Sequence, residues 1–242
     1  MIRFTGLEMK CNKIAILASI QAEMDVFEQL VKNHKWDDKE VHLAIGGVGK
    51  ASAAAVTQKI ISEQKPDIII YTGLAGALDS GLQLGDIAVV STAIDAEMDA
   101  QAFDSGLKPG QFPFTYERLL RTDPRMVKLV LDSPLEIRKF DGYVATCSVF
   151  MDSEKKQVFS ADILPKLEAE INGNKRVPNI IDMESTGFLT ATKANNIPCL
   201  ILRAVSNTTK GDVVSDYFDS LFDRVERYFL LVEYIINNID KV

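Results

Sequence analysis

The chain alternates short apolar runs with segments of helical period. KIAILAS (13–19) reads as a strand, and a helix follows around 22–32. EVHLAI (40–45) is a second strand, GGVGK a turn, and the alanine-rich stretch 50–64 a helix that Pro66 stops. DIIIYTG (67–73) has no polar alternation, as expected of a strand buried on both faces, with the Gly-containing turn GLAGAL behind it. GDIAVVSTAID (85–95) is the next strand, 124–132 a helix, and GYVATCSVF (142–150) a strand. SEKKQVFSADILPKLEAE contains a further helix. After NIID come a helix at 184–195, the strand PCLILRAVSN, and a long amphipathic helix at 214–240. Strands alternating with helices predict an α/β fold on a mostly parallel sheet.

Composition narrows the class. The 242 residues are 47% hydrophobic, enough for one large core, and no linker, repeat or low-complexity segment divides them. The longest polar stretch, VKNHKWDDKE (31–40), lies between two apolar strands. One domain over 13–242 is expected, preceded by an N-terminal extension, 1–12, in which Met9 reads as an alternative start. The net charge of −7 and the lack of any Lys/Arg block argue against a nucleic-acid partner. MIRFTGLEMKCNK lacks the apolar core of a signal peptide and no run approaches membrane-spanning length, so a cytoplasmic protein without a membrane partner is expected. Cys11, Cys147 and Cys199 are scattered without metal-ligand spacing.

Candidate chemistry lies at strand ends, where ligands gather in open α/β sheets. GGVGKAS fails the phosphate-loop pattern because Ala44 occupies the first Gly position and Ala51 follows the Lys. A strand-to-helix turn that needs glycine dihedrals is the better reading. His34 and His42 have no candidate ligand near them in sequence, so neither suggests a metal or a triad. Glu23 follows the first strand at the start of a helix, where an acid also suits the helix dipole. Glu184 repeats that arrangement after another strand. Two such acids can converge over one sheet edge to hold a water or accept bonds from sugar hydroxyls. The strand CLILRAVSN ends in a polar cluster, Arg203, Ser206 and Asn207.

Together, AILASIQAE, GGVGKASAAA, PDIIIYTGLAGAL…LGDIAVV, MDAQAF…GQ, SVFMDS, DMEST and RAVSN resemble the purine nucleoside phosphorylase/nucleosidase superfamily. Within it they are similar to the 5′-methylthioadenosine/S-adenosylhomocysteine nucleosidases, over nearly everything from Lys13 onward. The resemblance implies a single-domain, three-layer αβα fold with a central, mostly parallel mixed sheet. It also implies hydrolysis of the N-glycosidic bond of a small purine nucleoside, without a cofactor, through an oxocarbenium-like transition state. Carried over by motif, Glu23 would be the general base on the attacking water, with Arg203 helping to fix that water. Glu184 would bind the ribose hydroxyls and favour positive charge on the sugar, and Met183 would pack on the ribose. Phe150 and the backbone of Met151 would hold the base. Leu74, Ala75, Gly76 and Ser206 complete the expected lining, and Val48, Tyr217 and Phe218 would border the 5′-substituent.

Two positions depart from that pattern. Adenine-specific relatives carry Asp after the Ser of RA-x-S-x, where it protonates N7; this chain has Asn207, and an amide delivers no proton. Asn207 therefore points to a 6-oxopurine leaving group, as in the futalosine hydrolases that share Ser-Asn here, or to weakened catalysis. Leu74 stands where many relatives have Ser. A phosphorylase would need basic residues around TGLAGALDSGLQLGD, which has none. A purine-binding protein without turnover is the reading from a different class, and intact Glu23, Glu184 and Arg203 argue against it. The family resemblance further implies a homodimer, with DAQAFDSGLKPGQFPFTYE (99–117) as the contact segment.

Overall fold

Hydrophobic runs too continuous to face water on either side set the sheet at the centre of the molecule. In the computed structural model, which describes residues 11–32, 36, 39–208 and 220–241, strand β1 (Lys13–Ala18) is buried from Ile14 onward. Its alternate side chains part to opposite faces. Ile14, Ile16 and Ala18 join one apolar cluster with helices α1 (Gln21–Val31), α3 (Pro124–Leu131) and α6 (Leu221–Asn238). Ala15 and Leu17 join a second cluster with α2 (Lys50–Gln64) and α5 (Ser185–Ala194). These are the helix layers on the two faces of the sheet. A third cluster lies under α4 (Ser153–Asp162).

The central strands are β2 (Glu40–Ile45), β1, β3 (Ile68–Ala77), β10 (Cys199–Asn207), β4 (Ile87–Asp95), β6 (Lys139–Thr146) and β9 (Ile180–Asp182). Pairings β1–β2, β1–β3, β3–β10, β4–β6 and β6–β9 are parallel; β4–β10 and β3–β9 are antiparallel. The fold is thus α/β with a mostly parallel mixed sheet, as the alternation of elements predicts. A feature that alternation could not show is closure. The end of β3 pairs with β9 (Gly76 with Ile181, Ala77 with Ile180), so β3, β10, β4, β6 and β9 curl into a ring.

Two boundaries differ from the sequence reading, and each difference builds the site. GLAGAL is no turn: β3 continues through it to Ala77, because β10 pairs with it along one side and β9 at its end. The strand expected at 142–150 ends at Thr146, which frees 147–152 as a loop. Short strands β5 (Leu120–Arg121), β7 (Ala169–Ile171) and β8 (Asn174–Arg176) carry too few residues to show a period. Of the expected C-terminal helix at 214–240, the described part begins at Leu221. Among the described residues, no helix is long and apolar enough to cross a membrane.

Candidate active site

Glu23 enters the first turn of α1 directly behind β1. Its Oε2 accepts the backbone N–H groups of Ser19 at 2.9 Å and Ile20 at 3.4 Å, closing the helix N-terminus. The dipole reading of this acid is therefore half correct. The other oxygen, Oε1, is buried and has no hydrogen-bond partner among the described residues. Burial pushes the carboxyl up to about 7, against the pull of the Arg203 charge and the two backbone donors.

Asp182 and Glu184 bracket the other half of the constellation at the end of β9. Asp182 accepts from the Thr146 hydroxyl at 2.8 Å and from the Ser185 hydroxyl and N–H. It also holds the fully buried Arg203, whose Nη2 lies 2.8 Å from Asp182 Oδ2 and 3.2 Å from Glu184 Oε2. Arg203 further donates to Ser19 Oγ and the Thr72 carbonyl, and its guanidinium lies 4.9 Å from the centre of the Tyr71 ring. Burial opposes this charge, but Asp182 and Glu184 outweigh it and hold the guanidinium firmly protonated. Burial raises the Glu184 carboxyl above its ordinary value, against the pull of Arg203. The cluster forms because β10 runs in register with β3: Arg203 pairs with Gly73, where a Cβ would come within 2.3 Å of Nη1. Only a bare backbone admits the guanidinium there.

The GGVGK loop also serves this cluster. Gly47 and Gly49 have φ of 79° and 90°, as the turn reading requires. The Gly49 N–H then donates to Glu184 Oε1 at 3.1 Å, so the loop cradles a carboxylate.

At the far end of β3 the register slips. Val205 pairs with Ala75 and Asn207 with Gly76, which leaves Ser206 as the extra residue of a bulge. Such a bulge re-aims the side chains around it. Ser206 Oγ reaches the Ala75 carbonyl at 3.2 Å, and Asn207 Nδ2 donates to the Met151 carbonyl at 3.5 Å. The bulge brings the loop freed by the early end of β6 against Asn207.

One cavity of about 230 Å³ joins these parts. Of the residues singled out from sequence, Glu23, Val48, Leu74, Ala75, Gly76, Phe150, Met151, Met183, Glu184, Ser206 and Asn207 line it. Arg203 does not. The sequence reading has Arg203 helping to fix the attacking water; in the structure it lies beneath the carboxylates, bonded to Asp182, Glu184, Ser19 and Thr72. Tyr217, Phe218 and His34 lie outside the described residues. Sequence reasoning missed Ser19, Ile20, Val149, Lys156, Ile181 and Asp182 as lining residues. Asp182 stands two residues from Glu184, which was a usable signal. Lys156 gave none, since an α4 lysine reads as a solvated face.

Comparison with known proteins agrees with this architecture. A curated 5′-methylthioadenosine/S-adenosylhomocysteine nucleosidase of Bacillus pumilus is 26% identical over 211 residues, covering 81% of this chain and 85% of that protein. The solved structure of such a nucleosidase from Colwellia psychrerythraea, in complex with adenine, matches with a TM-score of 0.79 at 20% identity, over 96% of this chain and 98% of that one. Futalosine hydrolase of Helicobacter pylori matches with a TM-score of 0.79 at 17% identity, over 94% and 98%. Residues 14–232 match the family model of the phosphorylase superfamily, and the chain belongs to that superfamily.

Proposed function

We propose, with membership of the phosphorylase superfamily as premise, that the protein hydrolyses the N-glycosidic bond of a purine nucleoside, most like the 5′-methylthioadenosine/S-adenosylhomocysteine nucleosidases. The observation that carries this reading is the unpaired, buried Oε1 of Glu23 in one cavity with Glu184. Glu23 takes a proton from water as that water attacks C1′. Glu184, fixed by Arg203 and Gly49, accepts the ribose hydroxyls and stabilises the cationic sugar. Met183 lies against the ribose, and Phe150 and the Met151 backbone hold the base. Water is the only co-substrate this scheme requires.

A second reading, a 6-oxopurine or futalosine-type hydrolase, is favoured by Asn207. A neutral amide can donate to a 6-oxo group, whereas a carboxylate repels it. The test is release of free base in phosphate-free buffer from matched adenine and hypoxanthine nucleosides that share one 5′-group. Release that requires added phosphate would make the protein a phosphorylase; tight binding without release would make it a binding protein. Asn207→Asp should shift preference toward adenine by about tenfold, the scale of one badly paired buried polar group. An unchanged preference would remove Asn207 from base selection.

A further inference from the structure

Lys156 is the one cation among the described residues that line the cavity. It sits in α4 and is 1% exposed. Its Nζ reaches the backbone carbonyls of Asn207 and Thr208, both at 3.3 Å, and no carboxylate lies within ion-pair distance of it among the described residues. An ammonium has three N–H donors, so two carbonyls leave one over. A buried charge without a counter-charge is costly, and a side chain that merely filled this space would be apolar.

Its placement relative to the acids is the informative part. A Cβ at Gly76 would lie 2.9 Å from Lys156 Nζ and 2.9 Å from Asn207 Oδ1, so the two polar groups flank one point and lie within twice that distance of each other. A Cβ at Gly73 would meet Ser19 and Glu23 beside Arg203. The two glycines are three strand positions apart, roughly 10 Å. The cavity therefore has carboxylates at one end and an ammonium at the other. Heterolysis of a glycosidic bond makes the sugar positive and the base negative, the same polarity.

We propose that Lys156 is the general acid of the reaction, giving its proton to N7 of the departing purine while Asn207 beside it pairs with the 6-substituent. This rests on the nucleosidase reading above. The C1′–N9 bond breaks with its electron pair going to the base, and the Lys156 proton goes to N7, so the base leaves neutral. Water adds hydroxyl to C1′ and passes its proton to Glu23. Exchange with solvent then returns Glu23 to carboxylate and Lys156 to ammonium. Burial pulls the lysine down to about 8, which makes it a better proton donor near neutral pH. Asn207 thus has no need to be an acid, and its amide can present either end to the 6-position.

The test compares wild type with Lys156→Met. On a purine nucleoside the variant should lose about 10²–10⁴ in kcat. On the p-nitrophenyl riboside with the same 5′-group, whose leaving group departs without a proton, it should match wild type. A second measurement needs no turnover: hypoxanthine and 7-deazahypoxanthine differ in the ring atom at N7, so wild type should bind the former more tightly and the variant should bind both alike. Equal losses on both substrates, full purine activity, or an undiminished preference for the N7 base would each overturn the proposal. Thermal melting checks the fold of the variant, which should melt no lower than wild type because it removes a buried charge that has no counter-charge among the described residues. Should Lys156→Met fail to fold, Lys156→Gln carries the kinetic comparison of the two leaving groups, since an amide delivers no proton. A wild type that releases base from no purine nucleoside overturns the nucleosidase reading itself; an active wild type with an equally active variant overturns only the role of Lys156.

Discussion

Replacing Glu23 by Gln separates the two consequences of burying that carboxylate. With the carboxyl at about 7 in the fold and an ordinary value near 4.5 in the unfolded chain, the native state binds the proton more tightly. Stability from this group is therefore present in full below about 4.5 and is lost as pH rises through the native value. A tenfold change in proton affinity is worth about 1.4 kcal/mol, so the loss between about pH 4.5 and pH 8.5 comes to about 3 kcal/mol. Gln keeps an oxygen for Ser19 and Ile20 but places an amide where Oε1 lacked a partner, and that cost does not depend on pH. The difference in unfolding free energy between variant and wild type should thus move in favour of Glu23→Gln by about 3 kcal/mol over that pH range. Urea titrations of both proteins at the two pH values measure it, and the pH-independent terms cancel. Base release should be abolished in the variant, while in wild type it should rise with pH through about 7 as the base ionises. A stability difference that stays the same at both pH values would refute the perturbed titration. Near-native turnover would refute the assignment of water activation.

Two further predictions follow from packing. Gly73→Ala puts a methyl 2.3 Å from Arg203 Nη1 and 3.0 Å from Ser19 Oγ, so it should cost about 3 kcal/mol in urea unfolding and suppress turnover; native stability would show that Arg203 has room to move. Phe103 and Phe114, 70% and 80% exposed with ring centres 5.4 Å apart, are proposed as the dimer contact, so Phe103→Ser with Phe114→Ser should shift sedimentation from dimer toward monomer; a monomeric wild type at micromolar concentration would refute it.

What sequence made legible was what depends on period and on residue type at a strand end. Continuous apolar runs in β1, β3 and β10 announced a sheet buried on both faces, and Glu23 and Glu184 announced themselves as acids where such strands stop. Length and pairing stayed hidden, because they depend on partners distant in the chain. GLAGAL looks like a turn by composition, yet β9, about a hundred residues later, holds its end as strand. The bulge at Ser206 leaves no trace in the residue order, although it decides what Asn207 faces. Lys156 was invisible for the same reason: α4 is largely polar, and only the closure of the loop against β10 turns this lysine inward.

The division of labour proposed for the two acids rests on where the Arg203 guanidinium is placed. Glu23, Asp182 and Glu184 line one cavity and lie almost wholly out of water. Arg203 bonds directly to Asp182 and Glu184 and acts on Glu23 only across space. Asp182 has its oxygens filled by Thr146, Ser185 and Arg203, so it holds the guanidinium in place and has nothing left for a ligand. In the proposed reaction Glu184, bonded to the guanidinium, therefore faces the sugar, and Glu23, raised to about 7, takes up the proton. Burial raises both carboxyls, but only Glu184 has a direct bond to Arg203 to set against it, and such unequal surroundings suit one acid to an electrostatic and the other to a proton-transfer role. Exchanging the two should then fail: Glu184→Gln ought to weaken binding of ribose-bearing ligands as well as turnover, whereas Glu23→Gln ought to spare binding. Calorimetry with a purine nucleoside and with its free base, on both variants, measures the contrast, and equal effects on binding would refute the split.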